Sequence, residues 1–210
     1  MKIGIVGSGR MGSALGRLWV AGGHDVCFSY KRDDRQLKRL ADETGAKWAS
    51  VRDTVADADV VLLSVHWSRI DDALEQAGDL DGKIVLNSCI PLNDSDTMQV
   101  VGRETSGAEY LASKWPRARW VSCFNTAPSE SMPNVFARKG KPSPPQQMLY
   151  GEDRDAKTIA GQLARDIGFE PVDLGGLANG RYVEPFAMVT AVLAYETPGG
   201  PSLTYRFEKL

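Results

Sequence analysis

The sequence predicts an α/β fold: a doubly wound, mainly parallel sheet with a small C-terminal α/β extension. Three observations carry this. Lys2-Ile3-Gly4-Ile5-Val6 is a short apolar run that turns through Gly7-Ser8-Gly9 and opens onto a stripe of Met11, Leu15, Leu18 and Trp19 at helical spacing. Val60-Val61-Leu62-Leu63 is apolar on both faces, as a central parallel strand must be. Between and beyond them, strand-like and helix-like stretches alternate, which implies right-handed βαβ units.

Taken in order, the first unit is a strand over Ile3–Val6 and a helix opening after Gly9. Ala21 to Asp25 is a turn, and His24 reads as one of its residues. Val26–Ser29 is the second strand. Asp33 and Asp34 open the next helix, where acids suit the dipole; Leu37, Leu40 and Ala41 give its inner face, and Gly45 ends it. A strand over Ala46–Ala49 and a short helix over Val51–Ala56 lead to the central strand. Ser68–Ala77 is a helix, Lys83–Asn87 a strand, Ser106–Trp115 a helix and Trp120–Cys123 a sixth strand. Arg138–Pro145 is a basic, proline-rich loop, a candidate domain boundary or lid that also reads as a plain solvated loop. It divides residues 1–145, the nucleotide-binding domain, from residues 146–210, an extension packed on the same sheet. In the extension, Gln147–Tyr150 and Glu170–Asp173 are strands around a helix marked by Ala160, Leu163, Ala164 and Ile167. A last helix near Val183–Tyr195 is apolar on several sides, which predicts burial in the core or between subunits. Leu203, Tyr205 and Phe207 alternate, so the tail is expected to lie extended on a partner surface.

Composition narrows the function classes. The chain has 210 residues, 42% hydrophobic and 25% charged, in the range of soluble globular proteins. A net charge of −2 offers no basic footprint for nucleic acid. No apolar stretch is long enough to span a membrane, and the first strand starts without the regions of a signal peptide, so a cytoplasmic protein is expected. Three cysteines, Cys27, Cys89 and Cys123, have no metal spacing and fit free thiols in a reducing compartment. With only His24 and His66, no metal site is expected.

Gly7, Gly9 and Gly12 form G-x-G-x-x-G between a strand and a helix, the context in which that motif binds a dinucleotide. Gly7 allows the tight turn, Gly9 admits a pyrophosphate to the backbone, and Gly12 lets the helix pack against its strand. The amides of Ser8, Arg10 and Met11 complete the cradle at a positive helix end. The second strand ends Ser29-Tyr30-Lys31-Arg32, not in the acid that holds a ribose 2′-hydroxyl. Basic residues there accommodate a 2′-phosphate, so the reading is NADP(H), with Tyr30, Lys31 and Arg32 at the adenosine end and Arg35 a weaker third cation. Ser64-Val65-His66-Trp67 follows the central strand at the carboxyl edge, where ligands bind in open α/β sheets. Those residues either meet the cofactor or cap the following helix; His66 is also a candidate proton donor. Asn87 and Ser88 begin a polar loop lining the nicotinamide. Cys89 has no base near it in sequence and does not read as a nucleophile. Asn125 and Thr126 place an amide and a hydroxyl where a second ligand would meet the nicotinamide.

With these motifs in place, the chain resembles the NADPH-dependent coenzyme F-420 reductases, which are related to the oxidoreductase domain of STEAP metalloreductases. The matching pieces are Gly7–Gly12, Gly23-His24-Asp25-Val26 leading to Lys31-Arg32, Phe124-Asn125-Thr126, Gly168–Asp173, and Arg181-Tyr182-Val183-Glu184-Pro185. The resemblance implies hydride transfer between NADP(H) and a 5-deazaflavin or flavin-like acceptor. His66, where the family often has proline, and Pro142–Pro145 depart from its pattern. The 60 residues after Tyr150 are too few for the larger helical domain with which hydroxyacid, ketol-acid and pyrroline-carboxylate reductases enclose a small substrate. Two alternatives stand beside this reading: a non-catalytic NADP(H)-binding or redox-sensing module, and an imine or carbonyl reductase completed by dimerisation. A homodimer is expected, with a small-molecule substrate as partner.

Overall fold

The computed structural model describes residues 1–30, 33–101 and 104–210. Lys31 and Arg32, the basic pair of the NADP reading, lie outside the described residues. In chain order the elements are β1 (Lys2–Val6), α1 (Arg10–Ala21), β2 (Asp25–Ser29), α2 (Asp34–Thr44), β3 (Lys47–Trp48), α3 (Val51–Asp57), β4 (Val60–Leu63), α4 (Ile70–Ala77), β5 (Ile84–Asn87), α5 (Gly107–Lys114), β6 (Arg119–Cys123), α6 (Met132–Ala137), β7 (Gln146–Gly151), α7 (Arg154–Ile167), β8 (Glu170–Asp173) and α8 (Gly180–Tyr195). They form one eight-stranded sheet in the order β3-β2-β1-β4-β5-β6-β7-β8. The expected doubly wound α/β architecture is therefore the one observed. The chain reverses direction across the sheet between β1 and β4, and that switch point puts the ends of both strands beside the glycine turn.

Strand alternation splits the core between the two faces. Ile3, Ile5, Val26, Phe28, Leu62 and Leu86 pack on one side with Leu15 and Trp19 of α1 and Leu163 and Ile167 of α7. Val6, Val61, Leu63 and Val85 pack on the other with α3, α4 and α5. Local chemistry sets the helix starts. Asp33, Ser50, Ser106 and Asp153 each accept a hydrogen bond from a first-turn amide of α2, α3, α5 and α7.

One pairing breaks the parallel pattern, and β8, parallel to β7, keeps the reversed direction. β7 runs antiparallel to β6, pairing Val121 with Gly151 and Cys123 with Leu149. The sequence reading did not include α6, a helix of six residues in the connection from β6 to β7. β7 starts at the carboxyl edge where β6 ends, and runs back. The proline-rich loop thus joins two neighbouring strands of one sheet.

Three further readings change. The outer face of α8 is not buried in this chain: Val189, Val192 and Leu193 are 53%, 43% and 47% exposed. Its inner residues Gly180, Val183, Glu184, Ala187, Thr190 and Ala194 are covered. The tail packs on its own chain instead of a partner surface. Gln146 donates its amide to the Tyr205 carbonyl, Phe207 donates its amide to the Gln146 side chain, and Phe186, Tyr205 and Phe207 cluster. His24 does more than turn the chain; its imidazole sits 3.1 Å from Asp166 and ties the end of α1 to α7.

Candidate functional site

The glycine turn is built by backbone. Gly7 (φ +109°) occupies a conformation that side chains rarely adopt, and a Cβ there would lie 2.2 Å from the Ser64 carbonyl oxygen. A Cβ at Gly12 would lie 2.0 Å from the Gly7 carbonyl oxygen, so α1 seats on β1 only because both are glycine. Gly9 is different. Nothing lies within 4 Å of where its Cβ would be, and no side chain caps α1. The first-turn amides of the helix therefore face open space, as an anion site requires. The Ser8 side chain turns inward and donates to the Ser29 carbonyl, locking the turn to β2.

Beyond the turn lies a cleft of about 590 Å³ at the carboxyl edge. It brings together most of the expected residues: Gly9, Arg10 and Met11 from the turn, Ser64 to Trp67 after β4, Ser88 after β5 and Asn125 after β6. A second hollow of about 580 Å³ is bounded by Tyr30, Leu37, Trp48, Arg69 and Asp72. The Tyr30 hydroxyl donates to Asp72 across it.

Some expected residues sit behind the wall. Asn87 is buried, donating to Ser122 Oγ at 3.1 Å and accepting from the Cys89 amide at 3.0 Å. Thr126 Oγ1 is 2.6 Å from the Tyr205 hydroxyl and also receives the Gln147 amide, so the tail holds it. His66 caps the turn after β4, accepting from the Ser68 amide through Nδ1, while its Nε2 is 3.0 Å from Asp96 Oδ1. It thus combines helix capping with a place on the cleft wall. Cys89 lines the cleft, but burial pushes its thiol up to about 12, far from a nucleophile.

The sequence reading assigned no site role to the α8 face (Met188, Thr190, Ala191, Tyr195) that closes the far side of the cleft, or to Tyr150 and Glu184 behind Asn125. Glu184 carried a signal: a single acid flanked by Val183, Pro185 and Phe186 in an apolar helix needs a buried partner. It finds the amides of Gly107 and Ala108 at 2.8 and 3.0 Å. Burial still raises its carboxyl to about 7. Among the described residues, no cluster of His, Cys, Asp or Glu is arranged to hold a metal, and no helix is long and apolar enough to cross a membrane.

The fold and the glycine turn define a class, the doubly wound α/β proteins with a G-x-G-x-x-G turn between the first strand and helix. Residues 2–90 match the family model described as NADP oxidoreductase, coenzyme F420-dependent, which agrees with the resemblance carried by the motifs. The rat metalloreductase STEAP3 is 30% identical over 185 residues, 87% of this chain and 36% of the relative. This chain therefore spans about a third of the length of that metalloreductase. Among solved structures, a candidate F420-dependent NADP reductase from Arthrobacter sp. FB24 superposes with a TM-score of 0.87 at 23% identity, covering 100% of both chains. An imine reductase from Streptomyces aurantiacus superposes with a TM-score of 0.69 at 18% identity, over 92% of this chain and 63% of its own. At those identities the two structures speak for the fold.

Proposed function

We propose that the protein transfers a hydride between NADP(H) and a flat conjugated acceptor, a 5-deazaflavin such as coenzyme F-420 or a flavin. The observation that carries this is the open cradle at Gly9, an uncapped helix start facing the cleft. The residues present fit the nucleotide. Gly9, Arg10 and Met11 would hold the diphosphate. Tyr30, with Lys31 and Arg32 beyond the described residues, would take the phosphorylated adenosine. Ser64 to Trp67, Ser88 and Asn125 would line the nicotinamide, with Asn87 and Thr126 supporting them from behind. NADPH supplies the hydride when bound; the chain's part is to hold two planar rings face to face, about 3–3.5 Å apart. Water at the cleft mouth would supply the proton that accompanies the hydride.

The same reading assigns residues 1–145 to nucleotide binding and residues 146–210 to an extension that forms the far wall. It places the protein in the cytoplasm. It also pairs two copies through the exposed side of α8 at Val189, Val192 and Leu193, on the helix whose Met188, Ala191 and Tyr195 line the cleft. That placement favours one second reading, an imine or carbonyl reductase whose site a partner subunit completes. The deciding experiment mixes the protein with NADPH and F-420 and follows the deazaflavin absorbance. Loss of the oxidised deazaflavin band supports the proposal; no change at high protein concentration rejects that acceptor. Reduction of cyclic imines by a dimer, with no reduction of deazaflavin, would favour the second reading.

A further inference from the structure

The chain leaves the sheet abruptly at the end of β6. The last pair between β6 and β7 is Cys123 with Leu149, and Phe124 then takes a φ of +65°. A bulky residue rarely adopts that left-handed backbone, which persists only where the surroundings hold it. The loop that follows carries Asn125, Ala127, Pro128 and Ser129 onto the cleft wall. Its departure leaves Gln146 to Met148 of β7 unpaired by β6. The tail fills that gap with one residue, Tyr205. Its carbonyl accepts the Gln146 amide at 2.9 Å, and its hydroxyl accepts the Met148 amide at 3.2 Å. These amides are two residues apart on β7 and so point to the same side. Tyr205 thus satisfies backbone donors that β6 abandons.

We propose that Tyr205 is a positioning residue for the nicotinamide end of the cleft: it clamps the loop after β6 and helix α8 to β7, so that the two parts of the far wall keep their spacing around a planar ring. The inference deepens the nucleotide reading and rests on it for the ligand. The hydroxyl is the arm toward the loop. It lies 2.6 Å from Thr126 Oγ1, which also accepts from Gln147 Nε2 at 3.1 Å. One proton bridges the two hydroxyls, and from whichever side it comes, the Tyr205 oxygen also serves the Met148 amide. Thr126 lies between Asn125 and Ala127, so holding it holds both neighbours on the cleft.

The ring is the arm toward α8. It meets the Phe186 ring edge-on with centroids 5.4 Å apart, and Phe207 packs against both. Phe186 is followed on α8 by Met188, Thr190 and Ala191, which line the cleft. The tail is itself anchored on either side of Tyr205. Ser202 Oγ accepts from Asn134 of α6 at 2.9 Å, Arg206 pairs with Glu170 of β8, and the Phe207 amide donates to the Gln146 side chain. A misplacement of about 1 Å between reacting rings costs on the order of a hundredfold in rate. A diphosphate on the amides after Gly9 depends on the other wall, so the clamp bears on the ring and not on the phosphates.

Tyr205→Phe removes the hydroxyl and keeps the ring; Thr126→Val removes the same contact from the loop side. Both are checked for folding by thermal melt. In the nucleotide-free variants, hydrogen exchange is expected to quicken about three- to tenfold in peptides spanning residues 124–131 and 146–150, and to keep the wild-type rate in β1 and α1. NADPH affinity is expected to fall about three- to tenfold. Affinity for 2′-phospho-ADP-ribose, the same nucleotide without its nicotinamide, is expected to stay within about twofold of wild type. The double variant is expected to add little to the larger single loss, because both changes remove one contact. Unchanged exchange in the folded variants overturns the clamp. NADPH affinity that is unchanged, or that falls in step with the fragment's, overturns the positioning role. Faster loop exchange in a protein that binds no nucleotide supports the clamp and overturns the nucleotide reading instead.

Discussion

The two walls of the cleft are made in different ways. The wall from β1 to α1 is backbone: a turn of three glycines, an uncapped helix start and inward-facing Ser8. The wall from β6, β7 and α8 is side chain: Asn125 donates to the buried Tyr150 hydroxyl, and Glu184 is buried against the first amides of α5. A backbone wall offers fixed N–H donors that do not titrate. A side-chain wall offers groups that rotate and change protonation. The first suits a phosphate, whose charge is the same in every nucleotide. The second suits a ring whose donors and acceptors have to be told apart.

Substitutions separate the two walls, from the largest effect to the smallest. Gly12→Ala drives a Cβ into the Gly7 carbonyl, and is expected to cost about 3 kcal/mol in a denaturant melt. A wild-type melt would mean that the backbone wall is looser than described. Replacing Lys31 and Arg32 together by Ala is expected to weaken NADPH about a hundredfold, through the loss of two charge-assisted bonds, with little effect on NADH. Equal losses for both nucleotides would move the 2′-phosphate contact elsewhere.

The side-chain wall is expected to respond to pH. The Glu184 carboxyl is raised from 4.5 to about 7 by burial, so the fold prefers its neutral form. That contribution is complete below the unfolded value and is lost as pH rises through the folded one. Wild type should therefore lose on the order of 2 kcal/mol relative to Glu184→Gln between about pH 4.5 and 8. Parallel stability profiles would show that the carboxylate is better solvated than the fold implies. The smallest effect is expected at Asp153, which caps α7 and takes two hydrogen bonds of 2.7 Å from Arg119. Asp153→Ala should cost about 1 kcal/mol near neutral pH. Arg119 holds this carboxyl well below the usual range, so the loss should shrink on acidification, as the wild-type carboxylate is itself protonated.

The same contrast explains what the sequence made legible. The backbone wall is local: Gly7, Gly9 and Gly12 sit within six residues, and hydrophobic periodicity identifies the strand and helix around them. The parallel core strands β4 and β5 were legible for the same reason, being short apolar runs between turns. The side-chain wall is assembled from positions 125, 150 and 184, whose proximity depends on β7 running antiparallel. That direction depends on a connection through α6, and no periodic signal marks a helix of six residues. For α8 the sequence left two places open, the core or a subunit interface; its apolar residues spread around the helix, and the chain itself covers one side of it.

The central claim is that a nucleotide diphosphate lies on the amides after Gly9, and Gly9→Ala tests it most directly. The new methyl enters space that the protein leaves open, at a backbone φ of −78° that alanine accepts. The account predicts a melt within about 0.5 kcal/mol of wild type, and NADPH affinity weakened about tenfold or more by fluorescence titration. Equal affinity in the two folded proteins would contradict it, because the methyl and the diphosphate would then not compete for the same space.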